Sequence, residues 1–149
     1  MFKISGFKYI DSFRANNAGG IRIFYRESME LKLMPNYTNV TNICEVLTVE
    51  IVRRDINIML CCFYHPPSPD HYQNRLFIEQ CSGILDNLRT RGLPVIVCGD
   101  FNLNLLNPLR LRYISDFIDS MLECNMSPII TIPTKFNPSN VITSYSLID

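Results

Sequence analysis

The first regular pattern along the chain has a period of two. In "AGGIRIFYRE" (18–27) a glycine pair is followed by Ile21, Ile23 and Tyr25 alternating with Arg22 and Phe24, which predicts a strand leaving a tight turn. "MELKLM" (29–34) alternates in the same way and predicts the next strand. "CEVLTVEIVRR" and "INIMLCCFY", both with the composition of buried strands, are separated by Arg54-Asp55 and predict a hairpin at the centre of a sheet.

"HPPSPD" (65–70) ends that pattern, because its prolines lack amide donors and bias the residues before them toward extended backbone. From Asp70 the period becomes helical: Leu76, Phe77, Ile84, Leu85 and Leu88 fall on or near one face, Asp70 or Ser68 can cap the start, and Gly92 stops it. "LPVIVCGD" then reads as a short buried strand. A second amphipathic helix is predicted from about Pro108 to Cys124, with Leu109, Tyr113, Phe117, Ile118, Met121 and Leu122 inward. "SPIITIP" and "SYSLID" predict two last strands joined by "TKFNPSNVIT". Hairpins mixed with strand-helix-strand crossings predict an α/β or α+β sandwich with helices packed on sheets.

Composition narrows the function classes. A length of 149 residues suits one domain, residues 1–149, and 14 basic against 14 acidic residues leave no global positive field to draw in nucleic acid. Any grip on phosphate must be local. Hydrophobic residues at 47% and charged residues at 19% predict some apolar surface that has lost its partner. No apolar run is long enough to span a bilayer, and the N-terminal "MFKISGFKYIDSF" lacks the features of a signal peptide, so the expectation is a soluble intracellular protein that is not secreted. The six cysteines are scattered, never as C-x-x-C, and read as buried reduced thiols rather than disulfides or a zinc site. The N-x-T triplets at Asn36 and Asn39 matter only in a secreted chain and read as chance.

The chemistry-bearing stretch is "CGDFN" (98–102), where an apolar strand runs into Asp100 and Asn102. Residues just beyond the carboxyl end of a buried strand are held firmly, and α/β proteins place ligands there. If the strand extends through Asn102, Asp100 and Asn102 face one site and Phe101 turns into the core. A carboxylate there can ligate Mg²⁺ or handle a nucleophile, and a carboxamide can fix a water or a phosphate oxygen. An Asx turn accounts for the same pair. A second apolar strand ends in Tyr64, whose phenol can contact a phosphate oxygen, or which can be a half-buried core tyrosine. His65 beside it reads as a solvated loop residue.

Taken together, "LPVIVCGDFN" resembles the G-D-F-N motif of the endonuclease/exonuclease/phosphatase superfamily, the DNase I-like fold, and "FYHPPSPD" resembles its Y-x-P-P segment. "RANNAGGIRIFYRE" is similar to the R-x-x-G-G-G-[VI]-x-[IL]-Y block of endonucleases of non-LTR (LINE-type, jockey-like) retrotransposons. "IPTKFNPSNVITSYSLID" resembles their P-T-R followed by S-x-I-D-H. The resemblance implies a four-layer α/β sandwich of two mixed sheets flanked by helices. It also implies Mg²⁺- or Mn²⁺-dependent hydrolysis of a DNA phosphodiester, DNA as partner, fusion to a reverse transcriptase, and a nuclear location. By the same resemblance Tyr64 contacts the scissile phosphate, and Asp100 acts near the metal on the attacking water or leaving group. Asn102 orients phosphate or water, Asp149 orients a catalytic histidine, and Thr134 contacts DNA.

The chain departs from the family pattern at both ends. The family's Asn-bearing strand and its E-T-W-L strand with the metal-ligating Glu do not precede Gly6, and the S-D-H motif with the general-base His does not occur; neither His65 nor His71 lies in such a motif. The resemblance therefore implies a domain truncated at both ends, with little or no nuclease activity alone. Two alternatives stay open: a catalytically dead remnant acting as a binding protein, and a phosphatase or nuclease of the same superfamily on another phosphoester.

Overall fold

The computed structural model of the chain describes residues 3–14, 19–68, 70–106, 111–132, 134–136 and 145–146. Strand β1 (Phe7–Ser12) pairs antiparallel with β2 (Ile21–Arg26), Phe7 lying opposite Arg26 and Ser12 opposite Ile21. The glycine-led strand is thus present. Its partner escaped the periodicity because Tyr9 and Ile10 are adjacent rather than alternating, and only the register with β2 reveals it. Across this pair Arg22 meets Asp11 at 2.7 Å and lies over the ring of Tyr9.

The larger sheet contains β3 (Glu30–Leu33), β4 (Asn39–Val40), β5 (Glu45–Val52), β6 (Ile58–Tyr64) and β7 (Val95–Asp100). Its order is β3-β5-β6-β7, with β4 pairing beside β3 on β5. β5 and β6 form the expected antiparallel hairpin, whereas β6 and β7 run parallel because the helix α1 (His71–Arg89) crosses between them. β2 and β3 are neighbours in sequence yet belong to different sheets.

Asp70 caps α1, its Oδ1 accepting from the backbone N–H of Tyr72 at 2.8 Å. The buried face of α1 is Asn74, Phe77, Ile78, Cys81, Leu85 and Leu88, with Leu76 and Ile84 at its half-buried margins. The second helix, α2 (Arg112–Glu123), buries Ile114 and Phe117. Leu122, expected inward, is exposed on its outer side, and Pro108 and Leu109 lie outside the described residues. Both helices cover one face of the larger sheet, packing on Val46, Met59, Cys61 and Phe63. Each large apolar side chain removed from water there contributes about 1.5–3 kcal/mol. On the opposite face Glu45, Leu47 and Val49 are fully buried where β2 packs over β5. Helices, larger sheet and smaller sheet therefore stack as successive layers, and a further helical layer is not seen among the described residues.

Three local expectations are corrected. "SPIITIP" forms no strand among the described residues: Ile129, Ile130 and Ile132 are exposed and unpaired in any ladder, so β-propensity had no packed surface to act on. The strand in "SYSLID" is β9 (Tyr145–Ser146), and its antiparallel partner is β8 (Lys135–Phe136), inside the segment read as a connection. β7 is an edge strand among the described residues rather than a fully buried one, with Ile96 43% exposed. For the same reason the cysteines divide. Cys44, Cys61, Cys81 and Cys124 are buried, whereas Cys62 is half-buried and Cys98 exposed on the face the helices do not cover. Among the described residues no helix is long and apolar enough to cross a membrane.

Candidate functional site

The parallel pairing of β6 and β7 brings their carboxyl ends to one edge. Tyr64, the last residue of β6, lies directly opposite Asp100, the last residue of β7. On the other side of β6, Glu45 at the start of β5 lies opposite Tyr64. Glu45, Tyr64 and Asp100 thus form one row across three strands, and residues level with one another in a sheet project to the same face.

One glycine makes this row possible. Gly99 has φ +139°, and a β-carbon there would overlap the carbonyl oxygen of Phe63, its register partner. Only glycine allows β7 to come this close to β6 just before Asp100.

Beyond Asp100 the chain does not continue as a strand. Asn102 has left-handed backbone, φ 49°, and its N–H donates to Asp100 Oδ1 at 3.1 Å. The Asx turn is real, and the simple picture of a strand extension is corrected. Asn102 is nevertheless fixed beside the end of β6, because its Nδ2 donates to the carbonyl of His65 at 2.8 Å. Phe101 is buried among Phe63, Phe77 and Phe117, as expected.

His65 is the residue that the sequence reading misplaced. It is 1% exposed and stacks on Phe77 with ring centroids 4.1 Å apart. Its backbone N–H donates to the Asp100 carbonyl at 2.9 Å, and its Nδ1 donates to the Phe101 carbonyl at 2.8 Å. A carbonyl only accepts, so the proton is on Nδ1. Burial holds the imidazole below its ordinary pKa, and the bond to Phe101 and the charge of Asp100 oppose that shift. A neutral, enclosed ring of this kind positions its neighbours. His65 thereby grips Asp100, Phe101 and Asn102 at once, a role visible only after β6 and β7 are placed side by side.

Glu45 was also missed. It is fully buried, and it accepts from the Gly20 backbone N–H at 2.6 Å through Oε2 and pairs with Arg14 through Oε1. This explains the Arg and Gly-Gly of "RANNAGGIRIFYRE": Arg14 and Gly20 both meet the carboxylate at the end of the site row. The signal available was an acid opening a mostly apolar strand, "CEVLTVEIV".

Thr134 is exposed immediately before β8. Asp149 lies outside the described residues. Tyr64, Asp100 and Asn102 are therefore the expected residues that come together. Chemically they supply a phenol, a carboxylate and a carboxamide whose remaining N–H and oxygen can serve a phosphate or a water. Among the described residues no group of three or more His, Cys, Asp and Glu side chains could hold a metal ion. Glu45 is committed to Arg14 and Gly20, so among the described residues Asp100 stands as a single carboxylate. A hard divalent cation wanting about six oxygens is not satisfied by these residues by themselves.

No protein-family model matches the chain, and no curated protein matches it in sequence. Among solved structures it is similar to the endonuclease domain of TRAS1, a telomere-specific non-LTR retrotransposon, with a TM-score of 0.68 at 13% identity. The likeness covers 89% of this chain and 60% of that one, so the chain spans about three-fifths of the length of this structural neighbour. At this identity the likeness speaks for architecture, a mixed α/β arrangement of sheets and helices. The chain therefore shares its fold with that endonuclease domain.

Proposed function

We propose that this chain is part of a DNA endonuclease of the non-LTR retrotransposon type, a domain that nicks DNA by hydrolysing a phosphodiester and works within a longer protein carrying a reverse transcriptase. The observation that carries the reading is the register pairing of Tyr64 with Asp100, with Asn102 bonded to the residue after Tyr64, at the strand ends of a DNase I-like fold. Tyr64 donates its phenolic hydrogen to a phosphate oxygen. Asp100 receives a proton from the attacking water or steadies the leaving oxygen, and Asn102 orients the phosphate or the water. Asp149 orients a catalytic histidine, and Thr134 contacts the DNA backbone.

Mg²⁺ or Mn²⁺ is the cofactor this reading implies, with further ligands from outside the described residues. A general base contributes roughly 10²- to 10⁴-fold in rate, and this reading takes it from the rest of the longer protein. The reading therefore has this chain binding duplex DNA while hydrolysing it weakly or not at all. Fluorescence anisotropy with duplex DNA, in chelator, tests it together with plasmid nicking in Mg²⁺ and Mn²⁺. Tyr64→Phe should weaken binding, and Asp100→Ala should strengthen it by removing a negative charge beside the phosphate. Salt-independent binding indifferent to both substitutions would sink the nuclease reading. Strong Mg²⁺-dependent nicking that Asp100→Ala abolishes would show that the chain is a complete enzyme.

A further inference from the structure

One row back from Tyr64 and Asp100, on the same face of the sheet, β6 and β7 present Cys62 directly opposite Cys98. Their sulfurs are 3.3 Å apart. Cys98 is exposed and Cys62 half-buried, whereas the other four cysteines are buried. Cys61, next to Cys62 in sequence, points to the other face, where it meets Thr48 at 3.3 Å, and burial pushes its thiol up to about 11. The chain therefore offers one accessible pair of thiols in contact.

We propose that Cys62 and Cys98 form a reversible dithiol-disulfide site, oxidised by a low-molecular-weight disulfide such as oxidised glutathione. The thiolate of Cys98 attacks one sulfur of the small disulfide, breaking its S–S bond, forming a mixed disulfide and releasing one small thiolate, which takes up a proton. The thiolate of Cys62 then attacks the Cys98 sulfur, forming the cross-strand bond and releasing the second small thiol. Two protein thiols lose two electrons and two protons, and one small disulfide becomes two thiols.

Geometry supports formation and reversal alike. Neighbouring strands run about 4.8 Å apart, within the Cα separation of about 4.4–6.8 Å that a disulfide bridges. Level residues in a sheet, however, hold their β-carbons farther apart than the roughly 3.8 Å a relaxed disulfide prefers, so closure draws the strands together and the bond is easily reduced. Such a bond is a switchable covalent tie between the two strands that carry Tyr64 and Asp100. The inference stands whether or not the chain acts on DNA.

The test exposes the folded chain to oxidised glutathione, blocks free thiols with N-ethylmaleimide, and reads intact mass and peptide map. The expected product lacks two hydrogens, links Cys62 to Cys98, leaves the other four cysteines free, and returns to the dithiol in reduced glutathione. Cys62→Ser should instead accumulate glutathione on Cys98. Wild-type protein that holds glutathione stably on Cys98 while Cys62 remains open to N-ethylmaleimide would overturn the proposal. So would a link through any other cysteine, or a failure of Cys98 to react.

Discussion

The backbone N–H of His65 donates to the carbonyl of Asp100 at 2.9 Å, which ties the residue after β6 to the last residue of β7. With Nδ1 on the Phe101 carbonyl and its own carbonyl accepting from Asn102 Nδ2, His65 holds three consecutive residues of the site loop. His65→Ala should remove a buried ring and one of those bonds, lowering stability by roughly 2–4 kcal/mol. The expected reading is a lower denaturant midpoint at an unchanged slope. A midpoint within error of wild type would show that the clamp does not matter.

The same residue predicts a pH dependence. The folded state holds His65 below its ordinary value near 6.5, because burial disfavours the imidazolium. Between the folded-state and unfolded-state values the unfolded chain binds the additional proton, so stability rises with pH there. The contribution is complete above about pH 6.5 and is lost as pH falls through the folded-state value. Thermal melts of wild type against His65→Gln should converge in relative stability below that window. Parallel curves throughout would contradict the assignment.

Gly99→Ala should be among the most damaging small substitutions. Its β-carbon has no room beside the Phe63 carbonyl, and φ +139° is closed to alanine, so β7 must move away from β6. We expect a loss of about 3 kcal/mol or more, or failure to fold. Amide exchange would show the damage as lost protection along β6 and β7 first.

Glu45 carries a buried charge balanced by Arg14 and the Gly20 amide. Removing one partner leaves the other uncompensated, which costs about 3–5 kcal/mol in a fully buried pair; Arg14→Ala should fall toward the lower end because Arg14 is partly exposed. The double variant Arg14→Met, Glu45→Leu should recover much of that loss. Additive losses in the double variant would show that the pair is not coupled.

Much of the fold was legible because its signals are local. The β5–β6 hairpin, the Asp70-capped helix and the strand ending at Asp100 each follow from periodicity and from residues with one strong backbone preference. β1 and β8, the partner of the expected strand in "SYSLID", were not legible, since short or poorly alternating strands exist only through a partner. "SPIITIP" fails in the opposite way: three isoleucines suit a strand, yet a strand needs a ladder to join.

The site divides along the same line. Sequence alone determined the identities of Tyr64, Asp100 and Asn102 and their places at strand ends, because the apolar runs, Gly99 and the Pro-Pro break end the strands there whatever surrounds them. Only the tertiary structure decided that Tyr64 and Asp100 are level, that His65 is a buried clamp, that Glu45 receives Arg14 and Gly20, and that Cys62 meets Cys98. Those are contacts between residues some 25 to 37 positions apart. The contacts between β6 and β7 form only after a helical crossover has set one strand parallel to the other, and those of Glu45 only after the smaller sheet has docked on β5; a local pattern carries no record of either partner.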